Sequence, residues 1–131
     1  MLLPPMTKRC WLCLAVCLCF HLYALADTPQ VRILFQDSPL AGSQFHGLET
    51  VFDQLQLGDV LTLHREPENR HDPKAIRVEW RGVFLGYVPR RENKGVAQAL
   101  DEGLTLDARI TRLQADPDPW QRLRFSIFVR L

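Results

Sequence analysis

Apolar residues recur at every second position in four short segments of this chain, and turn-forming residues separate these from one another and from two further apolar segments. The pattern is clearest near the end, where Leu106, Ala108 and Ile110 alternate with polar residues, as do Phe125 and Ile127. A period of two is typical of β-strands that bury one face. The predicted strands are residues 31–35, 60–66, 75–80, 83–88, 104–113 and 123–131. The chain is therefore predicted to fold as a mainly β domain.

The connections predict how these strands are arranged. Arg81-Gly82 is a two-residue connection of the kind that joins hairpin strands. Residues 36–47 are predicted to form a loop that is extended around residues 44–46. Short antiparallel strands of this kind indicate a small barrel or a strongly curled sheet, which removes exposed edges.

Helical periodicity is limited to one or two places. Val96, Ala97 and Leu100 lie at helical spacing within residues 90–102, and Gly103 stands where a helix C-cap belongs. Residues 50–55 indicate a second short helical turn. We therefore expect one or two short α-helices beside the sheet.

The first 26 residues have a different character from the rest. Lys8 and Arg9 precede an apolar run over residues 10–25. The small residues Ala24 and Ala26 then lie just before Asp27. This pattern is typical of a secretory signal peptide. We expect cleavage near Ala26/Asp27, an exported (periplasmic or secreted) domain over residues 27–131, and no membrane association after cleavage. The alternative is a retained anchor, although the run is short for the roughly 20 residues that span a bilayer core.

The cysteines belong to this leader. All four lie within its apolar run, which suits small hydrophobic residues better than a redox or zinc site. They are Cys10, Cys13, Cys17 and Cys19. The domain after residue 26 would then depend on its core alone, without disulfides.

Charge constrains the kind of partner. The leader holds two of the 16 basic residues and none of the 15 acidic ones, which leaves the remainder with one excess acid. A protein that coats nucleic acid non-specifically usually carries a clear basic excess. Any nucleic-acid site must therefore be a local patch.

The charged segment R-E-P-E-N-R-H-D-P-K-A-I-R-V (residues 65–78) has several interpretations. Glu66, His71 and Asp72 are residue types that bind metals or act as general acids and bases. The turn interpretation fits better, because Asp72 before a proline suits a type I turn and Asn69 tolerates a left-handed backbone. On the residues alone, Asp72 is more often structural than functional.

Signatures of catalysis are lacking. The sequence contains no G-x-S-x-G nucleophile elbow and no G-x-x-x-x-G-K-[ST] phosphate loop. We predict a protein that is not an enzyme and that needs no cofactor and no resident metal.

Aromatic and basic residues lie in or near the predicted loops. The rings are Phe45, His46, His71, Tyr87 and Trp120, and the bases are Arg65, Arg70, Lys74, Arg90, Arg91 and Lys94. Rings that stack on bases, beside cations that bind phosphates, suit single-stranded nucleic acid. The same residues also suit an ordinary surface, and both interpretations stay open.

Three motifs resemble the HIRAN domain family. They are G-S-Q-F-H-G (42–47), L-G-D-V-L-T-L-H-R-E-P-E-N-R-H-D-P-K-A-I-R-V (57–78) and G-V-F-L-G-Y-V-P-R (82–90). The resemblance covers residues 31–131. It implies a six-stranded antiparallel OB-like barrel with two short helices, which captures the 3′-hydroxyl end of single-stranded DNA and leaves ATPase or helicase chemistry to other domains.

The resemblance also implies site residues. They are Gln44, Phe45, His71, Asp72, Tyr87, Arg90 and Trp120. Asp72 would accept a hydrogen bond from the 3′-hydroxyl, His71 would stack on the terminal nucleotide, and Tyr87 and Arg90 would flank the base and the phosphates.

The remaining residues of that set have less defined roles. Gln44 and Phe45 would lie on the pocket wall, and Trp120 is included for its position before the last strand. Gln44 stands where eukaryotic members tend to have Arg, so one charge-assisted contact would be missing.

Two other functions are retained. An exported domain could bind a periplasmic protein, a peptide or an envelope polymer with the same barrel, because DNA ends are not an obvious ligand outside the cytoplasm. A metal-assisted phosphoester or phosphoanhydride hydrolase would use Glu66, His71 and Asp72. In either case we expect a monomer.

Overall fold

Six antiparallel strands and two short helices make up residues 29–131, which are the residues that the computed structural model describes. The elements are β1 (Arg32–Pro39), α1 (Leu48–Val51), β2 (Val60–Arg65), β3 (Ile76–Trp80), β4 (Val83–Tyr87), α2 (Lys94–Asp101), β5 (Leu106–Leu113) and β6 (Leu123–Arg130). The strands form one sheet in the order β1-β6-β5-β2-β3-β4. The predicted mainly β fold, with six antiparallel strands, is confirmed. The predicted leader, residues 1–26, lies outside the described residues.

Alternation in the sequence becomes burial in the sheet. In β3, Ile76, Val78 and Trp80 are buried, whereas Arg77 and Glu79 between them are half-buried. The same inward face continues across β5 and β6, and Phe125 and Ile127 there are fully buried. The core therefore lies on the concave side of the sheet, where apolar burial stabilises it.

The hairpin between β3 and β4 turns at Arg81-Gly82, as predicted. Arg81 has φ 45° and Gly82 has φ 81°, which is the left-handed pair of a type I′ turn. Among the described residues, Arg81 is the only non-glycine with positive φ. Asn69 therefore does not use the left-handed conformation that its residue type permits.

The two ends of the strand order meet next to β1. Ala41 pairs with Tyr87 of β4 through two reciprocal backbone hydrogen bonds of 2.9 Å. Further along, Gly47 N–H donates to the Phe84 carbonyl at 2.8 Å. The sheet is therefore curled until the segment after β1 touches β4.

Gly86 permits this contact. A Cβ at Gly86 would lie 2.4 Å from the Ala41 carbonyl oxygen and 3.0 Å from Leu40 Cγ. Only glycine allows the backbones to approach this closely.

Helix α2 covers the sheet with one apolar side. Val96 and Ala97 are buried, and Leu100 packs against the core. The helix ends as predicted, because Gly103 has φ 84° and its N–H donates to the Leu100 carbonyl at 3.0 Å. No helix in residues 29–131 is long and apolar enough to cross a membrane.

The segment 36–47 differs from the prediction of one loop. Strand β1 continues to Pro39, because Asp37 and Ser38 pair with β6. The stretch predicted to be extended, residues 44–46, instead contains a 3₁₀-helix over Ser43–Phe45 that follows the left-handed Gly42. Further 3₁₀-turns lie at Phe52–Gln54, Arg90–Glu92 and Pro119–Gln121.

Candidate functional site

A pocket of about 420 Å³ lies where the segment after β1 meets β4 and the β2–β3 loop. A volume of this size suits a small ligand. The lining residues come from three segments that are separate in sequence: Ala41, Gly42, His46, Asn69, His71, Asp72, Ala75, Tyr87, Val88 and Arg90. The pocket therefore exists only in the completed sheet.

The β2–β3 loop, residues 66–75, is shaped by its own side chains. The Asn69 Oδ1 accepts from the backbone N–H of His71 at 2.9 Å and of Asp72 at 3.1 Å. The Asp72 carboxylate accepts from the Lys74 N–H at 2.9 Å, and the Ala75 N–H donates to the Asp72 carbonyl at 3.0 Å. These bonds confirm the predicted turn at Asp72, and they direct its carboxylate toward the pocket.

A buried amide fixes the other carboxylate oxygen of Asp72. Asn93, 2 % exposed, donates from Nδ2 to Asp72 Oδ2 at 2.7 Å. An ionised carboxylate offers about four acceptor sites, and two are used by Asn93 and the Lys74 N–H. The pocket wall therefore presents a rigid acceptor with capacity for a ligand hydroxyl.

A second network holds Tyr87. Its hydroxyl donates to the Glu66 carboxylate at 3.1 Å, and Asn69 Nδ2 donates to the same carboxylate at 3.2 Å. Burial raises the pKa of the Tyr87 phenol, and the negative charge and hydrogen bond of Glu66 raise it further. Tyr87 therefore stays neutral and fixed in orientation at the pocket wall.

His46 forms the opposite wall. Its ring stacks on Phe84 with centroids 3.9 Å apart and meets the Tyr87 ring edge-on at 5.8 Å. Burial lowers the pKa of the His46 imidazole, although the charge of Glu66 opposes this. The His46 imidazole is thus packed against Phe84 and biased toward its neutral form.

Arg65 clamps the base of the loop. Its guanidinium donates to the carbonyls of Pro73 and Ala75 at 3.1 and 3.2 Å. It also makes a bidentate pair with Asp101 of α2, at 2.9 and 3.1 Å. The loop is therefore tied to α2 through both Arg65 and Asn93.

The structure brings together four of the predicted site residues: His71, Asp72, Tyr87 and Arg90 line the pocket. Gln44 and Phe45 do not line it, because the 3₁₀-helix Ser43–Phe45 turns His46 inward in their place.

His46 and Asn69 were not among the predicted site residues. Asn69 belongs to the turn that the sequence predicted around Asp72. Its closeness to Asp72 in the sequence was the signal that could have identified it as a site residue. His46 was one of the aromatic rings noted in the sequence, but no sequence pattern showed which of these rings would face the pocket.

Phe45 and Trp120 form an exposed aromatic rim beside the pocket. They are 78 % and 44 % exposed, and their 3₁₀-helices contact each other. The Arg91 guanidinium lies 5.8 Å from the Trp120 ring centroid, within cation–π range. Trp120 thus lies outside the pocket, at a surface suited to stacking.

Two of the three metal candidates are engaged in hydrogen bonds to other side chains. Glu66 faces Tyr87 and Asn69, while Asp72 faces Asn93. Within residues 29–131, no group of three or more His, Cys, Asp or Glu side chains is placed to hold a metal ion. Glu66, His71 and Asp72 therefore do not converge on one point.

Comparisons with known proteins agree with this architecture. The sequence model of the HIRAN domain matches residues 33–131. Over 81 residues the chain is 41 % identical to the Fanconi-associated nuclease 1 homolog of Oryza sativa subsp. japonica, which covers 59 % of this chain and 8 % of the rice protein. The chain therefore corresponds to only a small part of that relative.

Two crystal structures share the fold. A protein from Lactobacillus plantarum superposes with a TM-score of 0.66 and 25 % identity, covering 77 % of this chain and 97 % of the other. The HIRAN domain of human HLTF superposes with a TM-score of 0.59 and 15 % identity, covering 76 % and 78 %. The first match spans nearly the whole of that crystallised chain.

Proposed function

Because this chain belongs to the HIRAN domain family, we propose that it is a non-catalytic nucleic-acid-binding module whose pocket takes the 3′-hydroxyl end of single-stranded DNA. The observation that carries the proposal is Asp72. Its carboxylate is fixed from two sides and lies in the wall of a pocket that also contains rings and Arg90. A carboxylate held in this way accepts hydrogen bonds, and a hydroxyl is a neutral group that donates one.

The other lining residues complete this role. His71, which is exposed at the mouth of the pocket, supplies a flat ring for the terminal base. Tyr87 is held by Glu66 and flanks the nucleotide, while Arg90 offers a guanidinium to the adjacent phosphate. The pocket then recognises the end of a DNA strand, whatever the terminal base is.

The aromatic rim extends the path of the strand. Phe45 and Trp120, with Arg91 beside Trp120, offer stacking and charge to the nucleotides that precede the terminal one. Gln44, exposed in the same 3₁₀-helix, would contact the strand only through neutral hydrogen bonds. We expect modest affinity and a small salt dependence, because few phosphates meet a cation.

The test compares oligonucleotide ends. Fluorescence anisotropy would follow binding of an oligothymidylate of about ten nucleotides that ends in either a 3′-hydroxyl or a 3′-phosphate. We expect the hydroxyl end to bind at least about tenfold more tightly, since a phosphate cannot donate and is repelled by Asp72. Asp72→Asn should reduce this preference, because the charged acceptor is lost.

Asp53→Asn is the matched control. Asp53 is exposed in a 3₁₀-turn and does not line the pocket, so the preference should be unchanged. Equal affinity of the wild-type protein for both ends would contradict the proposal, as would an equal effect of the two substitutions.

The leader favours a second candidate, an exported module that binds a protein, a peptide or an envelope polymer. Its support is the signal-like pattern of residues 1–26. Mass spectrometry of the protein recovered from cell fractions tests it. A chain that begins at Asp27 in the exported fraction supports export, and an intact chain in the cytoplasm contradicts it.

We also propose that the domain has no hydrolase activity of its own. Glu66, His71 and Asp72 are committed to the hydrogen bonds and the pocket wall described above. Release of product from a labelled oligonucleotide in the presence of Mg²⁺ or Mn²⁺, lost in Asp72→Asn, would contradict this.

A further inference from the structure

The first half of β1 exposes large apolar side chains on both sides of the strand. Val31, just before the strand, is 60 % exposed, and within it Ile33, Leu34 and Phe35 are 53 %, 59 % and 40 % exposed. In the described residues, β1 pairs only with β6, so its other edge is open along this half. An open apolar edge of this kind is usually covered in a working protein.

More apolar residues lie at the same end of the sheet. The Leu131 N–H donates to the Val31 carbonyl at 3.1 Å, and the Arg130 N–H donates to the Thr105 carbonyl at 3.0 Å. These bonds place Leu131, 73 % exposed, beside the start of β1, and Leu104, 44 % exposed, on the other side of the end of β6. Several exposed apolar side chains therefore lie at this end of the sheet.

Three arginines share a single acid on one face at this end of the sheet, the face on which Leu34 also lies. Arg32, Arg109 and Arg130 lie 3.5, 3.7 and 3.8 Å from the carboxylate of Asp107, which is 5 % exposed. Asp107 Oδ2 has no hydrogen bond of good geometry despite these neighbours. One negative charge thus faces three positive ones. The three guanidinium groups, each about one-third exposed, keep free donors.

We propose that this end of the sheet, defined by Val31, Ile33, Leu34, Leu104, Leu131 and the three arginines, is a lipid-binding face that docks on an anionic membrane surface. Apolar side chains enter the boundary between headgroups and acyl chains, while guanidinium groups bind headgroup phosphates. The excess of two positive charges at Asp107 matches the negative charge of such a surface.

The preceding sequence supports this choice of partner. The apolar run of residues 10–25 ends six residues before Val31, and that linker spans at most about 20 Å. Val31 of the lipid-binding face is therefore separated by only a short linker from the segment of the sequence best suited to a bilayer. The lipid-binding face lies within residues 29–131, so its binding to lipid does not depend on whether the leader is removed.

A second copy of the chain suits this surface less well. Two copies joined face to face about a two-fold axis would bring two sets of three arginines together against only two buried carboxylates. Like charges at that distance oppose association. A bilayer carries the opposite charge.

Vesicle flotation of residues 27–131 tests the proposal. The buried core runs from Leu40 to Ile127, so this chain keeps all of it, and circular dichroism verifies the fold of each variant. We expect binding to vesicles of phosphatidylethanolamine with phosphatidylglycerol, and weaker binding to phosphatidylcholine. Arg130→Gln should lower the affinity about fivefold, and Leu34→Glu should abolish binding.

The control lies toward the other end of β5. Arg112 is exposed near the end of that strand and does not contact Asp107. Arg112→Gln should leave flotation unchanged. Absence of binding to anionic vesicles, equal loss in Arg112→Gln and Arg130→Gln, or a dimer in sedimentation that Leu34→Glu dissociates would each overturn the proposal.

Discussion

Asn93 donates a 2.7 Å hydrogen bond to the carboxylate of Asp72, and so joins the start of α2 to the wall of the pocket. Asn93 is fully enclosed, whereas Asp72 is half-buried and reaches the ligand space. The amide therefore acts on a ligand only through the carboxylate that it orients, which makes Asn93 a positioning residue.

Asn93→Ala should leave Asp72 without this donor. We expect the free energy of unfolding to fall by about 1–3 kcal/mol, because a buried polar contact is lost, as measured by urea denaturation. The preference for a 3′-hydroxyl over a 3′-phosphate should also decrease, which a purely structural role would not cause. Gln98→Ala, which removes an exposed amide from the same helix, should change neither quantity. An unchanged preference in Asn93→Ala would refute the positioning role.

Protonation of His46 should destabilise the domain. The folded protein holds the pKa of His46 below the ordinary value of 6.5, through burial. Between these two values the unfolded state binds more protons, so the free energy of unfolding falls as the pH falls below about 6.5. His46→Phe keeps a ring against Phe84 but cannot take up a proton. Urea denaturation at about pH 7.5 and about pH 5 should show a smaller loss in this variant, and an identical loss would exclude His46 as the cause.

Arg65→Lys should loosen the pocket loop. Lysine cannot reproduce the bidentate pair with Asp101 together with the bonds to the Pro73 and Ala75 carbonyls. Amide hydrogen exchange in residues 66–75 should become about tenfold faster, as expected for the loss of one charge-assisted hydrogen bond.

Exchange in β6 serves as the internal reference for that experiment. Its core residues are remote from the clamp, and their protection should be retained if the loop opens locally. Equal acceleration in β6 and in the loop would mean that Arg65 stabilises the whole fold instead.

Two glycine-to-alanine substitutions should have opposite effects. Gly86→Ala forces a Cβ against the Ala41 carbonyl, so we expect the free energy of unfolding to fall by about 1–3 kcal/mol or more. Gly95→Ala, in α2, meets only the Phe35 ring at 3.8 Å and should stabilise the helix by about 0.5–1 kcal/mol. Thermal unfolding of both variants checks the pair. Stabilisation by Gly86→Ala would show that the sheet can separate there at no cost.

The sequence predicted the strands wherever one face is buried. In β3 and β6 the alternation of apolar residues reports burial directly, and both strands were located to within two residues. Strand β1 was placed too short because it has no alternation. Its first half is exposed on both sides, whereas Ser38, Pro39 and Leu40 are buried in succession.

Site residues were predictable only where the signal was local. The turn at Asp72 could be read from the proline and the asparagine around it. In contrast, the position of His46 depends on Phe84, and that of Asp72 depends on Asn93. Both partners lie on other elements, so the sequence pattern could not show which ring faces inward or which amide is buried.

Because of the bridge between Ala41 and Tyr87, any binding in the pocket requires that the whole domain has folded. Ala41 follows β1 and Tyr87 ends β4, which stand at opposite ends of the strand order. The two residues therefore meet only after the sheet has curled completely. Closing a long loop is an entropic cost that must be met before the contact forms. An incompletely folded chain would have the Asp72 turn but no opposite wall, and therefore no pocket. Only fully folded chains would then be able to bind a ligand in the pocket.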